Sequence, residues 1–251
     1  MDGLSWASDG RVVYASNTVG HSGLWVMDSD GRNARPLTVD AQSDRLPSVC
    51  GDSGYIVFTS DRTGSPNIWR MDLDGGSPKQ LTRSNADWKP ACSPDGKWVV
   101  YQSEHEGLRS WRVSTEGGEP VPITDKFSIG SAVSPDGKWV SYAYLEAGDK
   151  PPKIAVARLE GGTPVKTFDI PTTATGDQVL WSADGHALTY IDTVKGVSNI
   201  WRLPLDGSPS KQLTDFRSDQ IFFHAWSRDG KQLALARGIV TSDAVLISNF
   251  R

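Results

Sequence analysis

The sequence lacks the features that mark several common classes of protein. It has two cysteines, four histidines and no apolar run approaching the ~20 residues that a membrane-spanning helix needs. Its formal net charge of −4 gives no sign of the basic surface typical of proteins that bind nucleic acid. Its first residues have neither the basic nor the apolar region of a signal peptide. We therefore expect no nucleic-acid binding, no membrane insertion and no signal peptide in this sequence.

What the sequence does contain is one motif in six copies. The clearest copies are SPDGKWVVY at residues 93–101 and SPDGKWVSY at residues 134–142, each a tight turn followed by an alternating apolar strand. The turn glycines lie 41 to 48 residues apart, at Gly10, Gly54, Gly96, Gly137, Gly185 and Gly230. A period of roughly 40–50 residues with several strands is the signature of a β-propeller. We predict an all-β, six-bladed β-propeller of four-stranded antiparallel blades, with almost no helix.

The repeat also predicts the domain organisation. A length of 251 residues could form two domains, but closed all-β folds of this size are commonly one. We expect a single domain over residues 1–251, with blades at about 1–38, 39–82, 83–124, 125–170, 171–214 and 215–251. The sixth repeat has only three predicted strands, the last at residues 243–248. Blade six is therefore expected to be three-stranded or to receive a strand from another part of a longer protein.

Large aromatic residues recur at the end of the predicted first strand, where they suit packing between radially stacked blades. Trp6, Trp181 and Trp226 hold this position, and counting back four residues from the turn glycines places Cys50 and Cys92 there as well. We interpret the two cysteines as buried thiols that replace a core aromatic. Equivalent points of adjacent blades are not expected to bring two Cα atoms within the ~7 Å that a disulfide requires.

Shorter motifs connect the chain to a known family. SDRTG at residues 60–64, NIWR at residues 67–70 and the repeat ending QLT at residues 80–82 join the SPDGK motif, and together they resemble the TolB-type, WD40-like β-propeller repeat. The resemblance implies a propeller that binds protein or peptide partners at one face and in its central channel, and it favours a periplasmic location. It also implies kinship with the propellers of prolyl-oligopeptidase-like enzymes and with C-terminal propellers of bacterial signalling proteins. Because this fold serves many roles, function has to be argued from a site.

Catalytic motifs do not accompany the repeat. The sequence has no Gly-x-Ser-x-Gly nucleophile motif. The histidines fall in four different repeats, at His21, His105, His186 and His224, with no metal-ligand spacing. The many Asp-Gly pairs are typical of turns, in which the carboxylate accepts from nearby backbone N–H groups. We expect no catalytic residue, no cofactor and no metal; calcium ligands and a tryptophan-lined sugar site stay open as alternatives.

The candidate site is the channel mouth, which the loops between successive blades are expected to surround. These loops vary more between repeats than the strands do, and they carry charged, amide and aromatic side chains suited to binding. The candidate binding residues are Asp44, Arg45, Asp87, Trp88, Lys89, Lys126, Phe127, Asp177, Gln178, Arg217, Asp219, Gln220, Phe222 and His224. His224 aligns with Pro90 and is expected to face the channel.

We therefore predict a non-catalytic, monomeric propeller that binds a protein, a peptide or a small molecule at the channel mouth. It is expected to act as the sensory or interaction module of a larger bacterial protein. Two alternatives stay open: an accessory propeller of a prolyl-oligopeptidase-like or other propeller enzyme, and a structural scaffold without a ligand.

Overall fold

The structure, a computed structural model, describes residues 2–17, 22–39, 43–145, 152–174 and 176–240. Over these residues the regular secondary structure consists of strands, and no helix occurs among them. No helix long and apolar enough to cross a membrane occurs in the part of the chain so described. The prediction of an all-β chain is therefore confirmed for these residues.

The first five repeats each form one four-stranded antiparallel sheet, with the strands in chain order. Blade one contains β1 (Leu4–Trp6), β2 (Val12–Ser16), β3 (Gly23–Met27) and β4 (Arg35–Pro36). Blade two contains β5 (Asp44–Val49), β6 (Tyr55–Ser60), β7 (Asn67–Asp72) and β8 (Lys79–Gln80). Blade three contains β9 (Asp87–Cys92), β10 (Trp98–Ser103), β11 (Arg109–Ser114) and β12 (Val121–Pro122). Blade four contains β13 (Ser128–Val133), β14 (Trp139–Tyr144), β15 (Lys153–Arg158) and β16 (Lys166–Asp169). Blade five contains β17 (Leu180–Trp181), β18 (Ala187–Val194), β19 (Val197–Pro204) and β20 (Lys211–Gln212).

The sixth repeat departs from this plan. It contributes only β21 (Gln220–Trp226) and β22 (Leu233–Gly238), which pair as a two-stranded sheet. The described residues thus form five complete blades, and the predicted count of six is wrong for them. The described residues end at residue 240, two residues after β22, so they include no third strand of this repeat. The third strand predicted at residues 243–248 lies outside the described residues.

The hydrophobic core lies in layers between neighbouring blades. Between blades two and three, for example, Val57 and Ile68 pack with Val99 and Tyr101 in one buried cluster. A single sheet cannot bury both of its faces alone, so stacking the sheets radially is what removes these side chains from water. The stacking also brings the first strand of every repeat to the centre of the molecule.

A hydrogen bond between the first and sixth repeats closes the ring. The indole N–H of Trp6 donates to the carbonyl oxygen of Ala225 at 3.1 Å. Trp181 makes the corresponding bond between blades five and four, to the carbonyl oxygen of Ala132, also at 3.1 Å. The aromatic position at the end of the inner strand therefore joins blades through its N–H as well as through its apolar surface.

The interpretation of the two cysteines as free thiols is wrong. Cys50 and Cys92 form a disulfide, with their Cα atoms 5.0 Å apart. The strand register explains the error. Val49 pairs with Ile56 as Cys92 pairs with Val99, so the residue equivalent to Cys92 is Val49 rather than Cys50. Successive residues of a strand point to opposite faces. The offset of one residue lets Cys50 and Cys92 face each other between blades two and three.

The offset arises at a turn. In blade three the N–H of Gly96 donates to the carbonyl of Ser93, and in blade two the N–H of Ser53 donates to the carbonyl of Cys50. Ser53 is therefore the counterpart of Gly96, and Gly54 lies one residue beyond the turn. An alignment of the repeats on their glycines therefore matches each residue of blade two with the wrong residue of blade three, one position away.

Candidate functional site

The inner strands surround a central cavity with a volume of about 300 Å³. All six repeats contribute to its wall, through residues 3–6, 46–48, 89–92, 130–133, 177–181 and 223–226, together with Pro135. The volume lies at the lower end of the range of ligand pockets, which is roughly 300–1,000 Å³. This cavity is the channel that the repeat predicts.

Backbone bulges shape the wall near the mouth of the channel. Gly3, Leu46, Lys89 and Gly130 each lie three residues before the last residue of an inner strand, and all have positive φ, at 114°, 56°, 52° and 69°. Such values are uncommon for a leucine or a lysine. Register shifts accompany them in blades two, three and four. Because a bulge re-aims the side chains around it, the left-handed conformation of Lys89 turns this residue into the channel wall.

An ion pair crosses the mouth from blade three to the fifth repeat. The ammonium group of Lys89 contacts the carboxylate of Asp177, and both side chains are partly exposed. Gly130 of blade four allows this arrangement, since an added Cβ there would lie 2.4 Å from the carbonyl oxygen of Gly176. The backbone before Asp177 can therefore lie directly on the inner strand of blade four. Gln178 follows in the same wall.

Blades two and three contribute a second contact near the mouth. The guanidinium of Arg45 lies over the ring of Trp88, 5.2 Å from the ring centroid. Arg45 directly precedes Leu46, and Trp88 directly precedes Lys89, so both lie next to residues of the cavity wall. The stack is a cation–π contact that holds the guanidinium beside the mouth.

The other predicted rim residues of the fourth and sixth repeats lie outside the cavity wall. The ammonium of Lys126 lies 4.8 Å from the ring centroid of Tyr144, and Phe127 is exposed. In the sixth repeat, Arg217 forms an ion pair with Asp215, and Asp219 forms one with Arg237 at 3.7 Å. Gln220 lies opposite Gly238 in the strand pair β21–β22, and Phe222 is half-buried. None of these six predicted residues lines the described cavity: Lys126, Phe127, Arg217, Asp219, Gln220 and Phe222.

Two predicted rim residues are buried between blades instead. Asp44 and Asp87 have no exposed surface. Asp44 forms an ion pair with Arg62 at 2.8 Å, whereas the Asp87 carboxylate has no hydrogen-bond partner among the described residues. Neither carboxylate is available to a ligand at the surface of the mouth.

His224 lies in the cavity wall, at the position equivalent to Pro90, but its ring is buried against blade five. Its Nε2 lies 3.1 Å from the hydroxyl oxygen of Thr189, which also accepts a hydrogen bond from the indole N–H of Trp226 at 3.2 Å. Burial lowers the pKa of His224 to about 4. The imidazole is therefore neutral near pH 7 and holds the sixth repeat against blade five.

Sequence reasoning missed most of the cavity wall. The wall includes the polar residues Ser48 and Ser131 and the apolar residues Leu4, Pro47 and Pro90. The alignment on turn glycines that assigns His224 to the channel could have found part of the wall, because counting back six residues from those glycines also gives Leu4, Pro90, Ser131 and Val179. In blade two the same count gives Ser48 instead of the structural equivalent, Pro47, because of the one-residue offset. No group of three or more His, Cys, Asp or Glu side chains in the described ranges is placed to hold a metal ion.

Solved structures share this architecture at low sequence identity. TolB from Acinetobacter baumannii matches with a TM-score of 0.69 and 20% identity, over 82% of this chain and 52% of that protein. This chain therefore spans about half the length of that TolB. A putative TolB from Agrobacterium tumefaciens matches with a TM-score of 0.77 and 18% identity, over 95% of this chain and 90% of the other. An oligogalacturonate lyase in complex with manganese matches with a TM-score of 0.61 and 17% identity, over 92% of this chain and 69% of the other.

These similarities establish the fold, and they leave the function open because a protein named for an enzymatic activity is among them. A comparison with curated proteins gave no match. The family described as the TolB beta propeller domain matches residues 4–161, which include the first three blades and most of the fourth. This chain therefore belongs to the TolB β-propeller family.

Proposed function

We propose that this chain is a non-catalytic propeller that binds a short peptide segment of a partner protein at the mouth of its channel. In this proposal the propeller is the interaction module of a larger bacterial protein. The observation that carries the proposal is the cavity of about 300 Å³ whose wall includes the Lys89–Asp177 ion pair.

The size of the cavity favours a peptide segment over a folded partner. At the lower limit of ligand pockets, it has room for a chain end or a few side chains. Its wall combines the apolar residues Pro47 and Pro90 with the polar residues Ser48 and Ser131. Such a mixture suits a peptide, which presents both backbone hydrogen-bonding groups and apolar side chains.

The mouth offers charge of both signs to such a ligand. Lys89 and Asp177 are 26% and 39% exposed, so a ligand carboxylate or ammonium group can compete for either member of the pair. The Arg45 guanidinium beside Trp88 adds a second cation. Recognition in this proposal exchanges the internal ion pair for ion pairs with the ligand.

The disulfide supports a location outside the reducing cytosol. Disulfides persist in oxidising compartments such as the periplasm and are rare where thiols are kept reduced. The Cys50–Cys92 bond fits the periplasmic location that the family resemblance favours. The peptide partner would then be exported or exposed to that compartment.

The proposal is tested by selecting peptides from a random display library on the disulfide-intact chain and measuring their affinity by calorimetry. The variants are Lys89→Met, which removes the charge at similar length, and Asp177→Asn. Arg32→Ala is the control, because Arg32 is exposed in the turn after β3, at the end of the propeller opposite the mouth. We expect the mouth variants to weaken binding by about tenfold or more and the control to leave it unchanged.

Two results would overturn the proposal. One is a selected peptide that binds the parent and both mouth variants with equal affinity, which would move the site elsewhere. The other is a failure of the library to yield any peptide that binds the folded chain.

A further inference from the structure

Blade two contains a complete internal site for an arginine side chain. The guanidinium of Arg62 forms an ion pair with the buried carboxylate of Asp44 at 2.8 Å. The same guanidinium lies 4.8 Å from the ring centroid of Trp69 and 5.3 Å from that of Phe58. A buried carboxylate and two aromatic faces thus enclose one cation.

Blade three contains the carboxylate and the two aromatic residues of this site, but not the arginine. Asp87 pairs with Ser103 as Asp44 pairs with Ser60. Trp111 likewise pairs with Tyr101 as Trp69 pairs with Phe58. Asp87, Trp111 and Tyr101 are therefore the counterparts of Asp44, Trp69 and Phe58.

The two blades differ in the residue that stands at the position of the cation. His105 occupies the position of Arg62, since the backbone N–H of each donates to a serine hydroxyl two residues earlier, Ser103 and Ser60 respectively. The exposed His105 ring lies against Trp111, with the ring centroids 5.9 Å apart. It makes no hydrogen bond to Asp87.

The buried carboxylate of Asp87 therefore has no cation or hydrogen-bond donor beside it among the described residues. It has no exposed surface, neither of its oxygens has a hydrogen-bond partner, and it forms no ion pair with any residue in the described ranges. Burial, and secondly the negative charge of Asp87, raise the pKa of the neighbouring Tyr101 hydroxyl. A buried charge normally has a partner, and one without a partner calls for an explanation.

We propose that blade three binds the guanidinium group of an arginine side chain supplied by another molecule, in the place that Arg62 fills in blade two. A carboxylate with both oxygens free can accept two parallel N–H bonds from a guanidinium, which an ammonium group cannot offer in that geometry. The face of Trp111 adds a cation–π contact. His105 covers the site and moves aside when the ligand enters, which its exposed position in the turn between β10 and β11 allows.

This arginine site is separate from the proposed peptide site. The cavity wall includes neither Asp87 nor Trp111. The variants that test the channel mouth therefore leave the arginine site intact, and the two proposals can fail independently.

The test uses agmatine, a guanidinium compound without a carboxylate, titrated into the full chain with calorimetry and thermal unfolding as readouts. His105→Arg is the decisive variant, because it supplies the missing cation from within the chain as Arg62 does in blade two. We expect it to raise the melting temperature of the free protein and to abolish agmatine binding. Asp87→Asn should also abolish binding, whereas the double variant Asp44→Asn/Arg62→Met, which alters only blade two, should bind agmatine as the parent does.

Further measurements identify the chemical class of the ligand and the molecule that supplies it. An arginine-containing peptide that binds more tightly than its citrulline counterpart would support a partner side chain as the natural ligand. Agmatine binding that persists in both His105→Arg and Asp87→Asn would overturn the proposal. So would an absence of agmatine binding in the millimolar range, or stabilisation by calcium or sodium ions that Asp87→Asn removes and agmatine does not reproduce.

Discussion

Cys50 and Cys92 are bonded across the boundary between blades two and three, with their Cα atoms 5.0 Å apart. Cys50 is fully buried in the layer between these blades, and Cys92 reaches the cavity wall. The same two blades carry Arg45, Trp88 and Lys89 of the channel mouth. The disulfide therefore fixes the relative position of two blades that form one side of the candidate site.

Removing the disulfide should destabilise the protein substantially. The two cysteines are separated by 42 residues in sequence. In the chain-entropy model, opening a loop of this length lowers the free energy of unfolding by about 4 kcal/mol. We expect the Cys50→Ala/Cys92→Ala variant to unfold at a clearly lower urea concentration than the parent, as measured by tryptophan fluorescence.

Reductant provides the control for this prediction. Dithiothreitol should shift the unfolding midpoint of the parent toward that of the double variant and leave the variant itself unaffected. Equal midpoints for the oxidised parent, the reduced parent and the double variant would contradict the stabilising role of the bond.

The disulfide also illustrates what the repeat could and could not predict. Turn residues and alternating strands repeat with a near-constant period, and this periodicity predicted the propeller and its four-stranded blades. The pairing of Cys50 with Cys92 depends instead on a one-residue offset. Ser53 replaces the glycine of the turn, so an alignment on glycines gives Cys50 and Cys92 equivalent positions in their repeats. Side chains at equivalent positions of two strands point in the same direction, and such an alignment therefore predicts no disulfide.

The ion pair between Asp44 and Arg62 should be important for stability. Asp44 is fully buried and the Arg62 side chain is 23% exposed. Removing one member of a buried pair leaves the other charge uncompensated, which costs about 3 kcal/mol. We expect Arg62→Met to lower the free energy of unfolding by about this amount, as measured by urea denaturation.

The double variant Asp44→Asn/Arg62→Met separates charge from packing. It removes the buried charge together with its partner, so it should be more stable than Arg62→Met alone. If the double variant were no more stable than Arg62→Met, the loss in the single variant would come from the packing of Arg62 on Trp69 and Phe58, which both variants lack, rather than from the uncompensated carboxylate.

The candidate site was only partly predictable for a related reason. Asp87, Trp88 and Lys89 are consecutive in the sequence, and their loop position predicts all three at the rim. In the strand, Asp87 points between the blades, whereas the positive φ of Lys89 places that residue in the channel wall. The composition of a loop indicates which chemistry is available, but strand direction and bulges decide which side chains reach the ligand.

Gly130 should be necessary for the geometry of the mouth. A Cβ at this position would lie 2.4 Å from the carbonyl oxygen of Gly176, and its φ of 69° already disfavours other residues. We expect Gly130→Ala to lower the melting temperature and to separate Asp177 from Lys89. Gly10→Ala is the matched control, because Gly10 has a φ of 86° with nothing within 4 Å of an added Cβ. A crystal structure of Gly130→Ala with the Lys89–Asp177 pair intact would contradict the prediction.

His224 should make stability depend on pH below neutrality. Burial lowers its pKa from 6.5 to about 4 in the folded protein. Between these values the unfolded chain binds a proton that the folded chain does not, so stability rises with pH. The contribution is complete above pH 6.5 and is lost as the pH falls toward about 4, a change of about 3 kcal/mol in total.

Urea denaturation at pH 7 and pH 5 measures this effect with little interference from carboxylates, whose ordinary pKa values lie near 4. By pH 5 the parent should have lost about 2 kcal/mol through His224. His224→Gln remains neutral throughout and retains an N–H that can donate to Thr189, so its loss over the same interval should be smaller by that amount. His186→Gln, which alters an exposed histidine of blade five, is the control and should keep the pH dependence of the parent. If His224→Gln and the parent lost stability equally between pH 7 and pH 5, His224 would have to take up its proton in the folded state, and the contact between the sixth repeat and blade five would have to open to admit it.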